Sequence, residues 1–564
     1  MARSPSSPRK GQSADVARVA PPPAEVPRPV GGRPWVVVAA VAALCATLGV
    51  LWGTTLPLGI EGEWTWPRLN AMGAEVLAGT GTLVALVVGG AWLLWMWAGD
   101  RRIADAERFE KGAWWAGAVC LGGAWYATVV GGAPFPHGAG RAAWVLFYPG
   151  PSGYYTEARG AADRRQYLAG YRARVERGDD VLHIGTHPPG LVAAYWILDD
   201  LRRDVPLLDS ALAATLPDEV REWWGLIDEQ TRLRGGTVPV GDERLLWFAA
   251  VVVGLSVVLG VWPLAWLVTR EYGPVVAWRV AGLLPAVPAL AMFWPKSDTL
   301  LAGVALGLMA AWVFAWDRKT RIGAALSGAA AGLLGWLGVN LTLGLLPTFA
   351  WLGVWTVAEG ARGEGPFAGR MAVALRRLAA PLAGFLATFV GLTVATWWLF
   401  DLALPAVWLA NLRNHAGFYD VYPRSYLGWL LVNPFELAVA LGGPMAVCAV
   451  FAVCRRMGRV SPSFWATVVV AGLLWLSGKN SGEAARLWEF QSGWWLLVAA
   501  PVLAGIPAVA GIPGGGSSES GRTASDEPSG NGEDSRVWLA LWGLQLVACA
   551  GTAWRVGGFH VPGQ

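Results

Sequence analysis

Charge is scarce in this chain. Asp, Glu, Lys and Arg make up 15% of its 564 residues, against about a quarter in soluble globular proteins. The net charge of +4 is small and is spread over short loops, which gives nucleic-acid binding no basis. Cysteine is equally sparse. Cys45, Cys120, Cys448, Cys454 and Cys549 lie in or beside apolar blocks, and none has metal-ligand spacing. A disulfide framework or a zinc site is therefore not expected. Also missing are a Walker loop, a Rossmann fingerprint, a Gly-x-Ser-x-Gly elbow and a His-Glu-x-x-His pair, which argues against nucleotide-driven transport and the common hydrolases.

What the chain has is apolar sequence, 54% of its residues, gathered in blocks of about 17–26, the length that crosses a bilayer core. The blocks lie at 34–57, 73–98, 113–131, 245–268, 276–293, 298–316, 322–338, 341–359, 378–402, 427–453, 462–477, 493–511 and 537–553. The expectation is an all-α polytopic membrane protein of 12–13 spans. The first block is too long for a signal-peptide core and lacks a small-residue cleavage site, so it is expected to stay as an anchor. Residues 1–33, rich in Pro, Ser and Arg, are expected to form a disordered tail, and 512–536 a flexible linker. The division is thus a tail, three spans over 34–131, a long loop at 132–244 with short helices, a core at 245–511, the linker, and a last span with a short tail at 537–564. Tryptophan is abundant, at 36 residues, and is expected chiefly in belts at the two interfaces.

Orientation follows from Lys and Arg in the short loops. With the N-terminus in the cytoplasm, the inner segments carry 24 of these residues and the short outer ones 7. This sidedness places three polar loops, 132–244, 403–426 and 478–491, on one outer face. A single composite site is expected there.

The long loop begins Gly153-Tyr-Tyr-Thr-Glu-Ala-Arg159 and reaches His183-Ile-Gly-Thr-His-Pro-Pro-Gly190. Its prolines stiffen the backbone beside His187, a residue suited to donating to phosphate or carrying a proton; a loop histidine bonded to a carbonyl is the plainer reading. Glu157, set among aromatic rings, is a candidate base. Asp163 and the Arg164–Arg165 pair suit a solvated helix face. In Ser477–Phe490, Glu483 and Arg486 stand three apart and can pair on one helix face, and Lys479 with Arg486 suits phosphate oxygens. The stretch Asn411–Tyr426 sets His415, Asp420, Arg413 and Arg424 among rings, a mixture that suits a sugar. Asp298, Glu61 and Glu63 add outward acids. Pro285 and Pro288 inside one block are the feature that most favours a transporter.

The tyrosine-rich acidic loop, the Thr186-His-Pro-Pro-Gly190 element and the Gly482-Glu-Ala-Ala-Arg-Leu-Trp488 element before an apolar span resemble C-type (GT-C) glycosyltransferases. That group includes protein mannosyltransferases and bacterial aminoarabinose transferases. The resemblance implies a GT-C-like enzyme of the bacterial cytoplasmic membrane that moves a sugar from a polyprenyl phosphate to an acceptor at the outer leaflet. It implies a base at Glu157, with Asp163 and His187 beside it. It implies donor-phosphate contacts from Arg486, with Lys479 and His187 as further candidates; His183 is an added candidate for the phosphate, and Tyr154, Tyr155, His415, Asp298 and Glu483 are the candidates for sugar or acceptor contacts. In the family the acidic loop follows the first span; here it follows the third, and Glu61 and Glu63 hold the early slot. An Asp-Glu or Asp-x-Asp pair is missing, which leaves a divalent metal open. The competing readings are a transporter or lipid-linked-sugar flippase, and a surface-polysaccharide ligase or polymerase.

Overall fold

The computed structural model describes residues 34–69, 79–178, 182–362, 364–455, 461–504 and 534–559. The expected tail at 1–33 and most of the expected linker lie outside the described residues. Within them the protein is almost wholly helical. The exception is a small antiparallel hairpin, β1 (Gly59–Ile60) with β2 (Trp64–Thr65), in which Gly59 faces Thr65 and Ile60 faces Trp64.

Helix α1 (Pro34–Gly53) is followed by α2 (Thr80–Asp100) and α3 (Arg108–Gly131). The long loop then folds into seven short helices: α4 (Arg141–Phe147), α5 (Tyr154–Gly160), α6 (Arg164–Ala169), α7 (Tyr171–Glu176), α8 (Gly190–Asp204), α9 (Pro206–Thr215) and α10 (Asp218–Leu233). The core follows with α11 (Asp242–Leu259) and α12 (Val261–Tyr272), then α13 (Pro274–Ala281) and α14 (Pro288–Met292). Next come α15 (Ser297–Asp317), α16 (Arg321–Leu341), α17 (Leu346–Gly360), α18 (Phe367–Phe400) and α19 (Leu404–Val421). The last group is α20 (Tyr426–Leu441), α21 (Gly443–Cys454), α22 (Pro462–Leu476), α23 (Ala484–Leu487), α24 (Ser492–Leu503) and α25 (Asp534–Ala553).

Among the described residues, eight helical segments are long and apolar enough to cross a membrane, or nine with the pair α20–α21, which bends by 119° at Gly442. The remaining four of the thirteen expected spans correspond to α17, α22, α24 and the Val537–Ala553 stretch of α25, which are shorter apolar stretches. The block at 341–359 becomes helical only from Leu346, after a 3-10 turn at Leu343–Leu345. The block at 493–511 is helical to Leu503, and 505–511 lies outside the described residues. Pro285 and Pro288 break the 276–293 block into two pieces joined by a 3-10 turn, as a missing N–H and a ring clash require.

The short helices nonetheless run between the same two ends as the long ones. Far from the long loop, the guanidinium of Arg270 at the end of α12 binds Asp317 of α15 at 2.6 Å and Glu359 of α17 at 2.8 Å. Arg279 of α13 binds Asp100 of α2 at 2.7 Å and the carbonyl of Leu503 on α24 at 3.3 Å, and lies over Trp538 of α25. Glu271 accepts from Ser463 at the start of α22 at 2.6 Å. At the other end Arg555, just past α25, donates to the carbonyl of Leu51 near the end of α1 at 3.0 Å.

Two packing devices shape the bundle. Helices α16 and α18 approach through glycine: a Cβ on Gly328, Gly332 or Gly384 would fall 2.1, 2.4 or 1.9 Å from a facing carbonyl oxygen. Small residues that let backbones touch are what membrane helices use where no hydrophobic drive joins them. The other face of α18 exposes Val390, Val394, Trp397 and Trp398, a surface fit for lipid. Tryptophan is the second device. Nine tryptophans are fully buried among the described residues, including Trp92, Trp278 and Trp542. Each of these rings fills space left by a glycine on the neighbouring segment: Gly122, Gly99 and Gly282.

Candidate functional site

The outer-face loops of the sequence reading converge. Residues from the 58–69 hairpin region, the long loop, the start of α15, the end of α19 with the turn after it, and the α22–α23 turn line one cavity of about 490 Å³ at the long-loop end of the bundle. Its charged lining comprises Glu63, Lys296, Asp298, Arg424, Glu483 and Arg486; its imidazoles are His183, His187 and His415; its rings include Trp64, Phe418, Tyr419 and Tyr422.

The histidines are held by backbone carbonyls and by the helices around them. His183 Nε2 lies 2.7 Å from the carbonyl of Gly150, and His187 Nδ1 lies 3.1 Å from the carbonyl of His183. A carbonyl only accepts, so each of those ring nitrogens carries the hydrogen, and His187 Nε2 is left an acceptor. The turn between them is clamped from three sides. Tyr171 donates to the His187 carbonyl at 2.8 Å, and Asn411 and Asn414 of α19 both donate to the Gly185 carbonyl, at 2.7 and 2.9 Å. After His187, Pro188 and Pro189 lead into α8 at Gly190, where a Cβ would stand 2.1 Å from the Asn340 carbonyl at the end of α16. Only glycine lets the loop sit this close to the bundle. Burial, reinforced by the neighbouring Lys296 charge, pushes His183 down to about 3. Burial likewise lowers His187 to about 4, and His415 is lowered by burial and by Lys479. All three rings are neutral near pH 7.

The ionic part of the cavity centres on Arg486. Its guanidinium binds Glu483 at 2.6 Å, the pairing expected from their spacing. Burial opposes its charge, but Glu483, Asp298 and Glu489 outweigh that and raise its pKa. On its other side, Arg486 Nε faces Asp298 Oδ2 at 3.7 Å, too far for a hydrogen bond. Both atoms are buried, and neither has a hydrogen-bond partner among the described residues. Asp298 stands in the first turn of α15, where a helix N-terminus favours a carboxylate. Two residues earlier Lys296 is buried, and burial with the nearby Arg486 charge lowers its amine to about 8. Behind them Glu489 is buried as well; burial and Asp298 push its carboxyl well above the usual range. Glu63 is committed elsewhere: its carboxylate accepts from the Ser425 N–H at 2.8 Å and the Trp429 indole at 2.7 Å.

Several residues named from the sequence do not reach the cavity. Glu157 does not line it; it pairs with Arg174 and accepts from the Tyr167 hydroxyl at 3.2 Å. Asp163 caps α6, accepting from the Gln166 N–H at 3.0 Å. Tyr155 turns away to donate to Asp242 at 2.5 Å, beside an Arg159 that binds Asp242 and Asp199. Tyr154 stands behind the wall, its ring 5.7 Å from that of His187. Lys479 is exposed and bears on the site through its charge beside His415. The cavity does receive His183, His187, Asp298, His415, Glu483 and Arg486. Lys296, Tyr419 and Tyr422 were missed, although Lys296 sits in the four-residue break at 294–297 between apolar blocks, where its charge was the signal.

Among the described residues no three His, Cys, Asp or Glu side chains gather as a metal site, and the five cysteines are free thiols. No protein-family model matches the chain, and no curated protein matches it.

Proposed function

We propose that the protein is a membrane-embedded glycosyltransferase, moving a sugar from a polyprenyl-phosphate donor to an acceptor hydroxyl at the extracytoplasmic face. The observation that carries this reading is the buried cluster of Lys296, Asp298 and Arg486 on one cavity, in which Arg486 Nε and Asp298 Oδ2 meet as an ion pair at 3.7 Å while neither has a hydrogen-bond partner among the described residues. An acceptor-only carboxylate oxygen and a donor-only guanidinium nitrogen are both costly to leave unpaired away from water. A hydroxyl on the first and a phosphate oxygen on the second satisfy both at once.

The chemistry then needs few parts. Asp298 takes the acceptor proton as the acceptor oxygen bonds to the anomeric carbon. The bond from that carbon to the phosphate oxygen breaks, its electron pair leaves on the phosphate, and Lys296 and Arg486 hold the departing anion. Glu483 keeps Arg486 oriented. The neutral His183, His187 and His415, with the Tyr419 and Tyr422 rings, suit sugar hydroxyls and the apolar face of a pyranose. Glu157 takes no part in this account. The GT-C resemblance and the all-α fold support the same reading.

The test is transfer from a radiolabelled polyprenyl-phosphate sugar in liposomes containing the purified protein. Asp298→Asn is expected to lower transfer by roughly 10²–10⁴-fold while donor binding persists. Full transfer by that variant, or no transfer by the intact protein with any such donor, contradicts the proposal. A second reading, a lipid-linked-sugar flippase, is favoured by the broken α13–α14 segment and the 119° bend at Gly442. It predicts that the same liposomes move the donor between leaflets without consuming it.

A further inference from the structure

Lys296 and Asp298 reach the polar cavity from the short passage between α14 and α15. Helix α14 has only five residues, and the chain beyond it cannot carry its hydrogen bonding forward. Pro295 has no N–H to offer the Ala291 carbonyl four residues back. The Lys296 N–H goes to the Phe293 carbonyl at 2.9 Å rather than to Met292. The last carbonyls of α14 therefore need donors from elsewhere.

Two side chains supply them. The Tyr126 hydroxyl of α3 donates to the Leu290 carbonyl at 2.6 Å. Arg141, the first residue of α4, donates to Ala291 at 3.2 Å and to Met292 at 2.6 Å. Its planar guanidinium meets two successive carbonyls in one fixed geometry, which an ammonium on a flexible stem does not. The same stretch is backed on other sides. The Trp294 indole donates to the Ala250 carbonyl of α11 at 2.8 Å, and a Cβ on Gly558 would stand 2.4 Å from the Met292 carbonyl oxygen.

Arg141 is a costly donor for two carbonyls. It is 2% exposed, and among the described residues no carboxylate forms an ion pair with it. The Glu219 charge favours it, but that carboxylate accepts from the Gly140 N–H at 3.0 Å. Burial pulls its pKa down to about 10, so it stays charged near pH 7. A buried cation without a carboxylate partner destabilises a fold. Its place gives that cost a purpose. The carbonyls it holds lie four and five residues before Lys296, and the Lys296 carbonyl in turn accepts from the Thr299 N–H at 3.1 Å in the first turn of α15.

We infer that Arg141 is a positioning residue of the polar cavity: by gripping Ala291 and Met292 it fixes the turn that presents Lys296 and Asp298. Its consequence for transfer rests on the function proposed above; its effect on the turn is tested without any substrate.

The experiment uses the full chain in lipid nanodiscs and follows the Lys296 amine by competitive acylation with acetic anhydride across pH, read by peptide mass. Only the neutral amine reacts, and burial with Arg486 sets its midpoint in the intact protein at about 8. The groups that face it, Asp298, Glu483, Glu489, Arg486, His183 and His187, are unaltered in every variant. Arg141→Lys keeps the charge and loses the two-carbonyl grip. A loosened turn admits water to the amine, so the midpoint should rise by about one unit toward that of a hydrated lysine, about 10.4. Tyr126→Phe, which strands only the Leu290 carbonyl, should raise it less, and it decides the matter if Arg141→Lys does not fold. Arg279→Ala, destabilising at the far end of the bundle, should leave the midpoint unchanged. Transfer by Arg141→Lys should fall by roughly 10–10²-fold. No transfer by the intact protein contradicts the transferase reading alone, because acylation needs no donor. An unchanged midpoint or undiminished transfer in Arg141→Lys overturns the inference. So does an equal shift in Arg279→Ala, or an intact protein whose Lys296 already titrates as a hydrated lysine.

Discussion

The two ends of the helix bundle are built from the same residue types and put them to opposite uses. At the end away from the long loop, carboxylates meet donors in full. Asp317 and Glu359 share Arg270, Glu359 also binds Arg362 at 3.0 Å, Asp100 receives two nitrogens of Arg279, and Glu271 is held by Ser461 and Ser463. At the long-loop end Asp298 Oδ2 and Arg486 Nε meet only as an ion pair at 3.7 Å, and among the described residues neither has a hydrogen-bond partner. Matched charges knit helices together. Buried charges whose hydrogen bonds are incomplete are costly to keep, and that cost marks where a ligand completes the set. Counting charged residues does not separate the two ends; asking which are satisfied does.

The comparison breaks first at the matched end. Arg279→Ala strands the largely buried Asp100 carboxylate and should cost about 3–5 kcal/mol of stability, read as a lowered unfolding midpoint in detergent. Turnover per folded molecule should be unchanged. A loss of turnover without a loss of stability means that this end takes part in the chemistry after all.

A smaller effect sharpens the unmatched end. Lys296 has its amine lowered to about 8, by burial first and then by Arg486. It is therefore charged below that pH and neutral above it. Donor affinity should fall by roughly tenfold, one pKa unit's worth of free energy, as pH rises through about 8. Lys296→Arg should flatten that fall. An affinity that does not change with pH in the intact protein removes Lys296 from the phosphate contacts.

The smallest effect is expected at Glu157. Its pairing with Arg174 leaves both side chains about one-third exposed, and such pairs contribute about 0–1 kcal/mol. Glu157→Gln should shift the unfolding midpoint slightly and leave transfer intact; loss of transfer returns it to the site.

These contrasts show what was legible in the chain. The all-α polytopic architecture follows from block length alone, and the gathering of His183, His187, His415, Asp298, Glu483 and Arg486 in one cavity follows the sidedness of the Lys and Arg bias. That bias acts on whole loops, so it places a loop at an end of the bundle without saying which side chain turns inward. Glu157 and Tyr155 are misplaced for that reason: their partners, Arg174 and Asp242, lie 17 and 87 residues away, and tertiary pairing at such separations leaves no local pattern. Lys296 was passed over because a short break such as Trp294-Pro-Lys-Ser297 between apolar blocks looks like a plain connection. The bend at Gly442 was hidden inside one continuous apolar block, since hydropathy does not respond to a glycine that turns the backbone.

The account stands most directly on where a phosphate binds. A cryo-EM structure of the protein with a non-hydrolysable polyprenyl-phosphate sugar analogue should place the phosphate within hydrogen-bond reach of Lys296 Nζ and Arg486 Nε, with Asp298 Oδ2 facing the anomeric carbon. A phosphate seated beside Glu157 and Arg174, or at the end lined by Arg270 and Arg279, contradicts it.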